Sequence, residues 1–563
     1  MNHEMLTVVV GGDALALKVC YELAQTPGGR IAVLWKRDDD LREQVERLGG
    51  SFHARSADEG AGLLAAGVRE AAAVIAVGDD DHLNLEIALR ARDLNPEIRV
   101  VLSQFSRTLA RKIEQNLANC SVISPSTQSA ATYASAAVDP ACYYGVQFPE
   151  DNGALAGFSR VRAGSAGVGG CTQAQAEAQL EARIVARNGL PALTAAERLA
   201  DDDELVVFAC VRPQNSGPQP ARPSSPSSRA SYAQRMRRAL RHLDPVSRGV
   251  IVTALVVFVL GCFFFGSVMH LDPLTAAYFV VTTMSTTGFG DISPLQAGSA
   301  GMVGSIVLMI AGVTLTGLFI AILSSRLTQA QYVAVQGLRR VSRRGHIIVC
   351  GSGNVGSRVI DFLLKLERDV VVVELDPKPE IVERARDLGF DLLTGDATKD
   401  TTLDLCNVVE AAALIALTNT DTMNLEVALG ARARNADLTI VMRVQHEDFQ
   451  KSVRRHFGLD RTYGTAALAA PVLAGLSRSP EVRGNVTIGE REYAVVELRC
   501  DETPLTLPAT GCVPLGTWRD GRVVMLSDFA DVQSGERVLL LVSMTQFRGP
   551  LAAWSRVAQR VLR

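Results

Sequence analysis

Two long apolar stretches interrupt an otherwise mixed pattern of hydrophobic and polar positions near the middle of the chain. Residues 249–269 and 299–325 contain no charged side chain. At about 1.5 Å per helical residue, each is long enough to cross the roughly 30 Å hydrocarbon core of a bilayer. The pattern therefore predicts two membrane-spanning helices.

The segment between the two spans predicts a short helix followed by extended backbone. Asp272 is a suitable N-cap and Pro273 suits the first helical position, so we expect a helix over residues 273–285. Irregular backbone survives at membrane depth only where it lines a protein-enclosed, wet path. Glycine adopts positive φ at low cost, which lets successive carbonyl groups replace the water shell of a cation. The candidate filter residues are Thr286, Thr287, Gly288, Phe289, Gly290 and Asp291.

The distribution of Lys and Arg predicts the orientation of the spans. Arginines cluster before the first span and after the second, whereas residues 270–298 contain neither Lys nor Arg. The positive-inside rule then places both termini in the cytoplasm and the connecting loop outside the cell membrane.

Outside the spans, short Val- and Ile-rich runs alternate with helical stretches, and the pattern occurs twice. Residues 76–92 align with 416–432, and the alignment extends from Val8 and Ile348 to about Leu117 and Phe457. Alternating strands and helices predict an α/β Rossmann-like fold with a doubly wound parallel sheet in each copy. Each copy ends in a smaller β-rich segment.

These patterns divide the chain into eight segments. We predict Rossmann-like domains at 1–144 and 344–476, each followed by a β-rich lobe, at 145–212 and 477–545. A flexible Pro- and Ser-rich linker at 213–230 precedes an all-α pore module at 231–330. A short linker covers 331–343, and residues 546–563 form a tail.

The second copy contains a complete Gly-rich loop between a strand and a helix. Gly351 permits a tight turn, Gly353 lets the backbone approach phosphate, and Gly356 lets the helix pack on the strand. Glu374, at the end of the next strand, is placed to accept hydrogen bonds from ribose hydroxyls. It would repel a 2′-phosphate, which favours NAD(H) or an adenine nucleotide such as ATP or ADP.

The first copy has lost these features. Asp13 and Ala16 replace two of the glycines, and the strand that should end in an acid ends in Trp35. We expect this copy to be structural or to bind a different ligand.

The pore loop and the second copy each resemble a known family. The loop is similar to that of potassium channels, with Thr287 and Phe289 where Val and Tyr are usual. The second copy resembles the regulator-of-potassium-conductance (RCK, or TrkA-N) domain, and the first copy does so more weakly. The resemblance implies a homotetramer with K+ in its filter and a regulatory nucleotide. It assigns the nucleotide site to Gly351, Ser352, Gly353, Asn354, Val355, Gly356, Glu374, Asp376, Asp396, Ala397 and Arg443.

Composition narrows the choice of function. The net charge of −3 offers no general attraction for nucleic acid. The 10 cysteines include no CxxC pair, and the 8 histidines form no cluster, so we predict neither a metal site nor a catalytic constellation.

The sequence thus predicts a ligand-gated potassium channel subunit whose inner helix bends at Gly312 or Gly317. Two alternatives remain open at this point. One is a TrkA-like regulatory subunit of potassium uptake, and the other is a membrane-bound NAD-dependent oxidoreductase.

Overall fold

The computed structural model describes residues 5–25, 28–36, 38–55, 60–147, 155–191, 197–211, 245–336, 341–499, 512–519, 522–526, 532–533 and 535–544. The chain forms two compact units. The α/β unit combines Met1–Asn215 with Arg339–Arg563, and the helical unit is Ser216–Leu338. The predicted linker at 213–230 and the tail at 546–563 lie outside the described residues.

The first domain of the α/β unit is a six-stranded parallel sheet with helices on both faces. Its strand order is β3-β2-β1-β4-β5-β6. Runs of buried Val and Ile form the central strands, as expected where both faces of a parallel sheet are covered. The elements are β1 Met5–Val10, α1 Ala14–Ala24, β2 Gly29–Trp35, α2 Asp39–Arg47, β3 Ser51–Ala54, α3 Gly60–Ala65, β4 Ala73–Ala76, α4 Asp81–Leu94, β5 Arg99–Ser103, α5 Arg107–Asn116, β6 Cys120–Ile123 and α6 Pro125–Val138.

A smaller antiparallel sheet follows, with strand order β10-β9-β11-β8-β7. The predicted boundary between residues 144 and 145 falls inside its first strand, because Cys142 already pairs with Ser159 on the neighbouring strand. The elements are β7 Cys142–Gln147, β8 Leu155–Arg162, α7 Gln173–Leu180, β9 Arg183–Arg187, β10 Leu190–Pro191 and β11 Glu204–Cys210.

The helical unit contains three α-helices in its described part: α8 Pro245–Val268, α9 Pro273–Met284 and α10 Gly298–Gln336. As predicted, Asp272 caps α9, since its carboxylate accepts hydrogen bonds from the amides of Leu274 and Thr275 at 3.2 Å. Within α10, the segment Gly298–Ile322 is long and apolar enough to cross a membrane, and the apolar part of α8, Val252–Val268, is shorter.

Apolar contacts hold the three helices together. Phe265 of α8, Phe279 and Val280 of α9 and Leu308 of α10 form a small buried cluster. Other large apolar side chains of this unit, such as Phe263, are exposed. An apolar surface of this kind suits a lipid or protein environment better than water.

The second half of the α/β unit repeats the first. Its parallel sheet has the order β14-β13-β12-β15-β16-β17, and its antiparallel sheet has the order β18-β19-β22-β20-β21. The elements are β12 Ile347–Cys350, α11 Asn354–Lys365, β13 Val370–Glu374, α12 Pro379–Leu388, β14 Asp391–Thr394, α13 Asp400–Leu405, β15 Ala413–Ala416, α14 Asp421–Arg434, β16 Thr439–Arg443, α15 Glu447–Phe457, β17 Thr462–Tyr463, α16 Thr465–Leu476, β18 Val482–Ile488, β19 Arg491–Arg499, β20 Cys512–Arg519, β21 Arg522–Met525 and β22 Arg537–Ser543. The doubly wound sheets predicted before and after the pore region are confirmed.

The two halves exchange one helix each. Helix α6 of the first half packs on α11 of the second, and α16 of the second half packs on α1 of the first. The Tyr133 hydroxyl donates to the Tyr463 carbonyl at 2.8 Å across this contact. Each of the two hydrophobic clusters at the exchange contains residues of both halves, so the halves share these two cores.

Candidate functional site

The predicted filter segment follows the C-terminal end of α9 and has irregular backbone. Gly288 and Gly290 have φ angles of 48° and 79°, the positive values that the two glycines predict. Thr286 also has positive φ, at 60°, which is unusual for a β-branched residue. The amides of Thr287 and Gly288 donate to the Thr282 carbonyl at 2.9 and 3.2 Å, which ties the start of the segment to α9.

A side-chain contact ties the other end of the segment to α9. The Tyr278 hydroxyl donates to Asp291 Oδ2 at 2.9 Å. The Tyr278 ring also stacks on Phe289, with ring centroids 6.3 Å apart and planes at 7°. Tyr278 was not among the predicted site residues, although it lies on the helix that directly precedes them.

The two glycines predicted as hinges have different surroundings. A Cβ at Gly312 would lie 2.7 Å from the Cα of Met284, so this glycine allows α10 to approach the end of α9 closely. A Cβ at Gly317 would meet nothing within 4 Å. Helix α10 is continuous through both positions.

The three glycines of the loop after β12 differ in their surroundings. Gly351 has a φ of 99°, and a Cβ there would lie 2.8 Å from the Leu417 carbonyl oxygen. A Cβ at Gly356 would collide with the Gly351 carbonyl oxygen, so α11 packs tightly on the loop. A Cβ at Gly353 would meet nothing within 4 Å, which leaves the N-terminus of α11 open to a ligand.

Glu374 lies across this loop at the end of β13. Its Oε2 accepts hydrogen bonds from both the amide and the hydroxyl of Ser352, at 2.6 and 2.7 Å. Its Oε1 accepts from the Leu375 amide at 2.9 Å. The carboxylate is therefore held at the mouth of the loop, where ribose hydroxyls bind in dinucleotide folds.

A cavity of about 590 Å³ opens at this edge of the sheet. This volume lies within the range of roughly 300–1,000 Å³ that is usual for small-molecule sites. Asp396 lies on its wall, where the hydroxyl and amide of Thr398 donate to its carboxylate and lower its pKa. Of the predicted site residues, the cavity wall contains Gly351, Ser352, Gly353, Asn354, Glu374, Asp376, Asp396 and Ala397.

Three of the predicted residues lie off the cavity wall. Val355 is buried beneath the loop, and Gly356 faces the Gly351 carbonyl. Arg443 ends β16, where its carbonyl oxygen accepts from Asn424 at 3.1 Å, and its Nε is buried. The cavity wall also contains two cations that were not predicted, Lys378 and Arg384. Both follow Glu374 within ten residues in the sequence, and this proximity could have indicated that they belong to the same site.

The fold and the two sites define a chain with doubly wound domains on either side of a pore-loop module. Residues 7–140 and 347–463 match the TrkA-N domain, and residues 249–329 match an ion channel domain. The chain therefore contains two TrkA-N domains with an ion channel domain between them. This confirms the order predicted from the Gly-rich loop and the pore loop.

Several curated proteins are similar to parts of the chain. Potassium channel protein 1 of Methanocaldococcus jannaschii is 25% identical over 247 residues, which is 42% of this chain and 72% of the relative. The voltage-gated potassium channel Kch of Escherichia coli is 28% identical over 175 residues, 30% of this chain and 42% of Kch. An uncharacterized protein of Methanothermus fervidus is 31% identical over 208 residues, 36% of this chain and only 33% of that protein.

A solved structure shares the fold along most of the chain. The structure of the GsuK channel bound to NAD aligns with a TM-score of 0.50 at 14% identity, covering 98% of this chain and 80% of that one. At this level of identity the likeness concerns the fold alone.

Proposed function

We propose that this protein is a ligand-gated potassium channel subunit and that four copies form one pore. The observation that carries the proposal is the pair of positive-φ glycines, Gly288 and Gly290, directly after a short capped helix inside an ion channel domain. Two of the relatives described above are named potassium channels. A single chain supplies one filter strand, so a ring of carbonyl oxygens requires a homotetramer.

The proposed pore module crosses the cell membrane twice, through α8 and α10. The arginine-rich flanks place both α/β domains in the cytoplasm and residues 270–298 outside. In a chain whose native cysteines are replaced by serine, a membrane-impermeant thiol reagent should label Leu295→Cys only from outside. It should label Lys36→Cys only from inside. Labelling of both from the same side would contradict this topology.

The proposed filter is formed by Thr286 to Gly290, with Asp291 at its outer mouth. The C-terminal end of α9 carries partial negative charge and favours a cation beside it. Phe289 lacks the hydroxyl that a tyrosine would supply, and Tyr278 places a hydroxyl on Asp291 instead. We therefore assign Tyr278 to the support of the filter.

The proposed regulatory ligand is NAD(H) or an adenine nucleotide in the cavity beside Gly353. The open N-terminus of α11 offers backbone N–H groups and positive dipole charge to phosphate. Glu374 is placed for ribose hydroxyls, while Lys378 and Arg384 add positive charge to the wall. GsuK, which shares the fold, was solved with NAD bound.

The contacts of Arg384 offer a route from the cavity to the other half of the α/β unit. Arg384 donates to Asp361 Oδ1 at 2.5 Å, and Asp361 Oδ2 lies 3.8 Å from Arg358 Nη1. Arg358 Nη2 donates to the Phe105 carbonyl of the first half at 3.1 Å. A ligand phosphate that draws Arg384 away from Asp361 would alter the charge opposite Arg358. We propose that ligand binding shifts the angle between the two halves in this way.

The segment that leads into the second domain is firmly attached to it. Arg343 Nε donates to Asp391 Oδ2 at 2.6 Å and also forms an ion pair with Asp369. The Val341 amide donates to the Leu405 carbonyl at 2.8 Å. Because this attachment begins only five residues after α10 ends at Gln336, movement of the domain would pull on the inner helix.

The test is potassium flux into liposomes that contain the purified full-length protein alone. We expect flux that changes when NAD, NADH, ATP or ADP is added, and that loses this dependence in Gly353→Asp. The variant places at 353 the residue that the first copy has at 13. Flux that needs a second protein would favour an accessory regulator. NADH consumption with an electron acceptor, without flux, would favour an oxidoreductase.

A further inference from the structure

The strand register identifies which residue of the first domain stands in the place of Glu374. The last residues of the central strands pair as Val10 with Leu34 in the first domain and as Cys350 with Val373 in the second. One residue later come Trp35 and Glu374, each paired with the last residue of the next strand, Ala54 or Thr394. Trp35 is therefore the structural counterpart of the acid.

The indole of Trp35 lies on the loop that corresponds to the nucleotide-binding loop. A Cβ on Gly12 would overlap the indole nitrogen and two ring carbons, so the ring rests directly against the Gly12 backbone. Gly12 corresponds to Ser352, the residue that holds Glu374 in the second domain. An aromatic ring thus lies where the second domain presents a carboxylate for ribose. The ring is half-buried and packs on the core that both halves share.

A carboxylate occupies the neighbouring phosphate position. Asp13, the counterpart of Gly353, caps α1 by accepting a hydrogen bond from the Ala16 amide at 2.8 Å. Burial raises the pKa of Asp13, and the charge of Asp79 raises it further. In its ionised form, Asp13 already neutralises the positive end of α1 and repels an incoming phosphate.

We propose that the first domain is closed to nucleotides by its own Trp35 and Asp13, so that each chain binds one nucleotide and a tetramer binds four. This inference rests on the proposed nucleotide site of the second domain. The first domain then serves as a fixed frame against which the second domain moves. This proposal goes beyond the loss of the glycine motif. Two side chains fill the positions that ribose and phosphate would take.

Calorimetric titration of the full-length protein with NAD, and then with ADP, measures the number of sites. We expect one site per chain in the wild type and none in Gly353→Asp. Two sites in the wild type, or one remaining in the variant, would overturn the inference. No binding to the wild type would refute the proposed nucleotide site, and it would still agree with a closed first domain.

Photolabelling of the wild type with 8-azido-ADP provides a second test that needs no variant. After digestion, we expect label on peptides from residues 347–463 and none above background on peptides from residues 7–140. Label on the peptide that contains Gly12 and Asp13 would show that nucleotide enters the first domain, whatever the calorimetry gives.

Discussion

Glu374 distinguishes the Gly-rich loop of the second domain from that of the first, where Trp35 has the corresponding place. Its carboxylate is held in place by three hydrogen bonds from Ser352 and Leu375 before any ligand arrives. A preorganised carboxylate loses little conformational freedom when a ligand binds. Trp35, at the same place in the first domain, has no acceptor to offer ribose.

Replacement of Glu374 by alanine should weaken nucleotide binding and leave ion selectivity unchanged. Loss of hydrogen bonds to a charged group costs about 1.5–3 kcal/mol, which corresponds to a roughly 10- to 100-fold rise in Kd. Calorimetry measures the Kd. Glu383→Ala, which removes an exposed carboxylate of α12 that does not line the cavity, serves as the matched control. Unchanged nucleotide affinity in Glu374→Ala would remove this residue from the site.

His346 makes the α/β unit sensitive to acid. The side chain is fully buried, and its Nε2 donates to the Cys406 carbonyl at 2.9 Å. Burial lowers its pKa below the ordinary value of 6.5. Above pH 6.5 the neutral form is present in both states. As the pH falls below that value, the unfolded chain takes up a proton that the folded chain resists, so stability is lost.

Because of this histidine, the urea concentration at the midpoint of unfolding should decrease when the pH is lowered from about 7 to about 5. His346→Gln, which keeps a donor for the Cys406 carbonyl, should reduce that decrease. The control is His456→Gln at an exposed position, which should leave the decrease unchanged. An identical pH profile for the wild type and His346→Gln would contradict this assignment.

At the scale of elements, α9 contacts the proposed filter segment at both of its ends. Tyr278→Phe removes the hydroxyl bonded to Asp291 and keeps the ring that stacks on Phe289. We expect a lower ratio of potassium to sodium permeability in this variant. The control is Thr283→Val, because among the described residues the Thr283 hydroxyl donates to the Phe279 carbonyl, within α9. Equal selectivity in both variants would exclude Tyr278 as a support.

The two glycines of α10 should respond differently to alanine. A Cβ at Gly312 would overlap Met284, and overpacking of this kind costs about 1–3 kcal/mol, so Gly312→Ala should reduce assembly of the pore. The Cβ of Gly317→Ala has room, and alanine stabilises the helical conformation by about 1 kcal/mol relative to glycine. If α10 bends at Gly317, this variant should assemble normally and open less often in single-channel recordings. Unchanged opening would place the bend elsewhere.

Features that depend on neighbouring residues could be predicted from the sequence, whereas features that depend on distant contacts could not. The cap at Asp272 and the positive φ of Gly351 follow from backbone rules that act over a few residues, and the structure has both. The role of Gly353 beside a phosphate stays a prediction. The indole over Gly12 and the exchange of α6 and α16 depend on contacts between distant parts of the chain. Arg443 was assigned by resemblance alone, and its side chain lies off the cavity wall.

At the scale of the whole molecule, the two halves of the α/β unit share a fold and differ at the place of the proposed nucleotide site. The two halves share two hydrophobic clusters through α6 and α16, so neither half is expected to fold fully alone. The second half has the open cavity that we propose for a nucleotide, whereas Trp35 and Asp13 lie at the corresponding place in the first half. A ligand that binds only one half can change the angle between them, provided that it binds one arrangement more tightly than the other.

The most direct test of the account is the reversal potential of the purified protein in a planar bilayer with potassium chloride on one side and sodium chloride on the other. Four aligned filter segments predict a reversal potential close to that of a potassium-selective pore, in the presence of whichever nucleotide opens the channel. A reversal potential near zero, or a bilayer that stays silent with every nucleotide, would contradict the account.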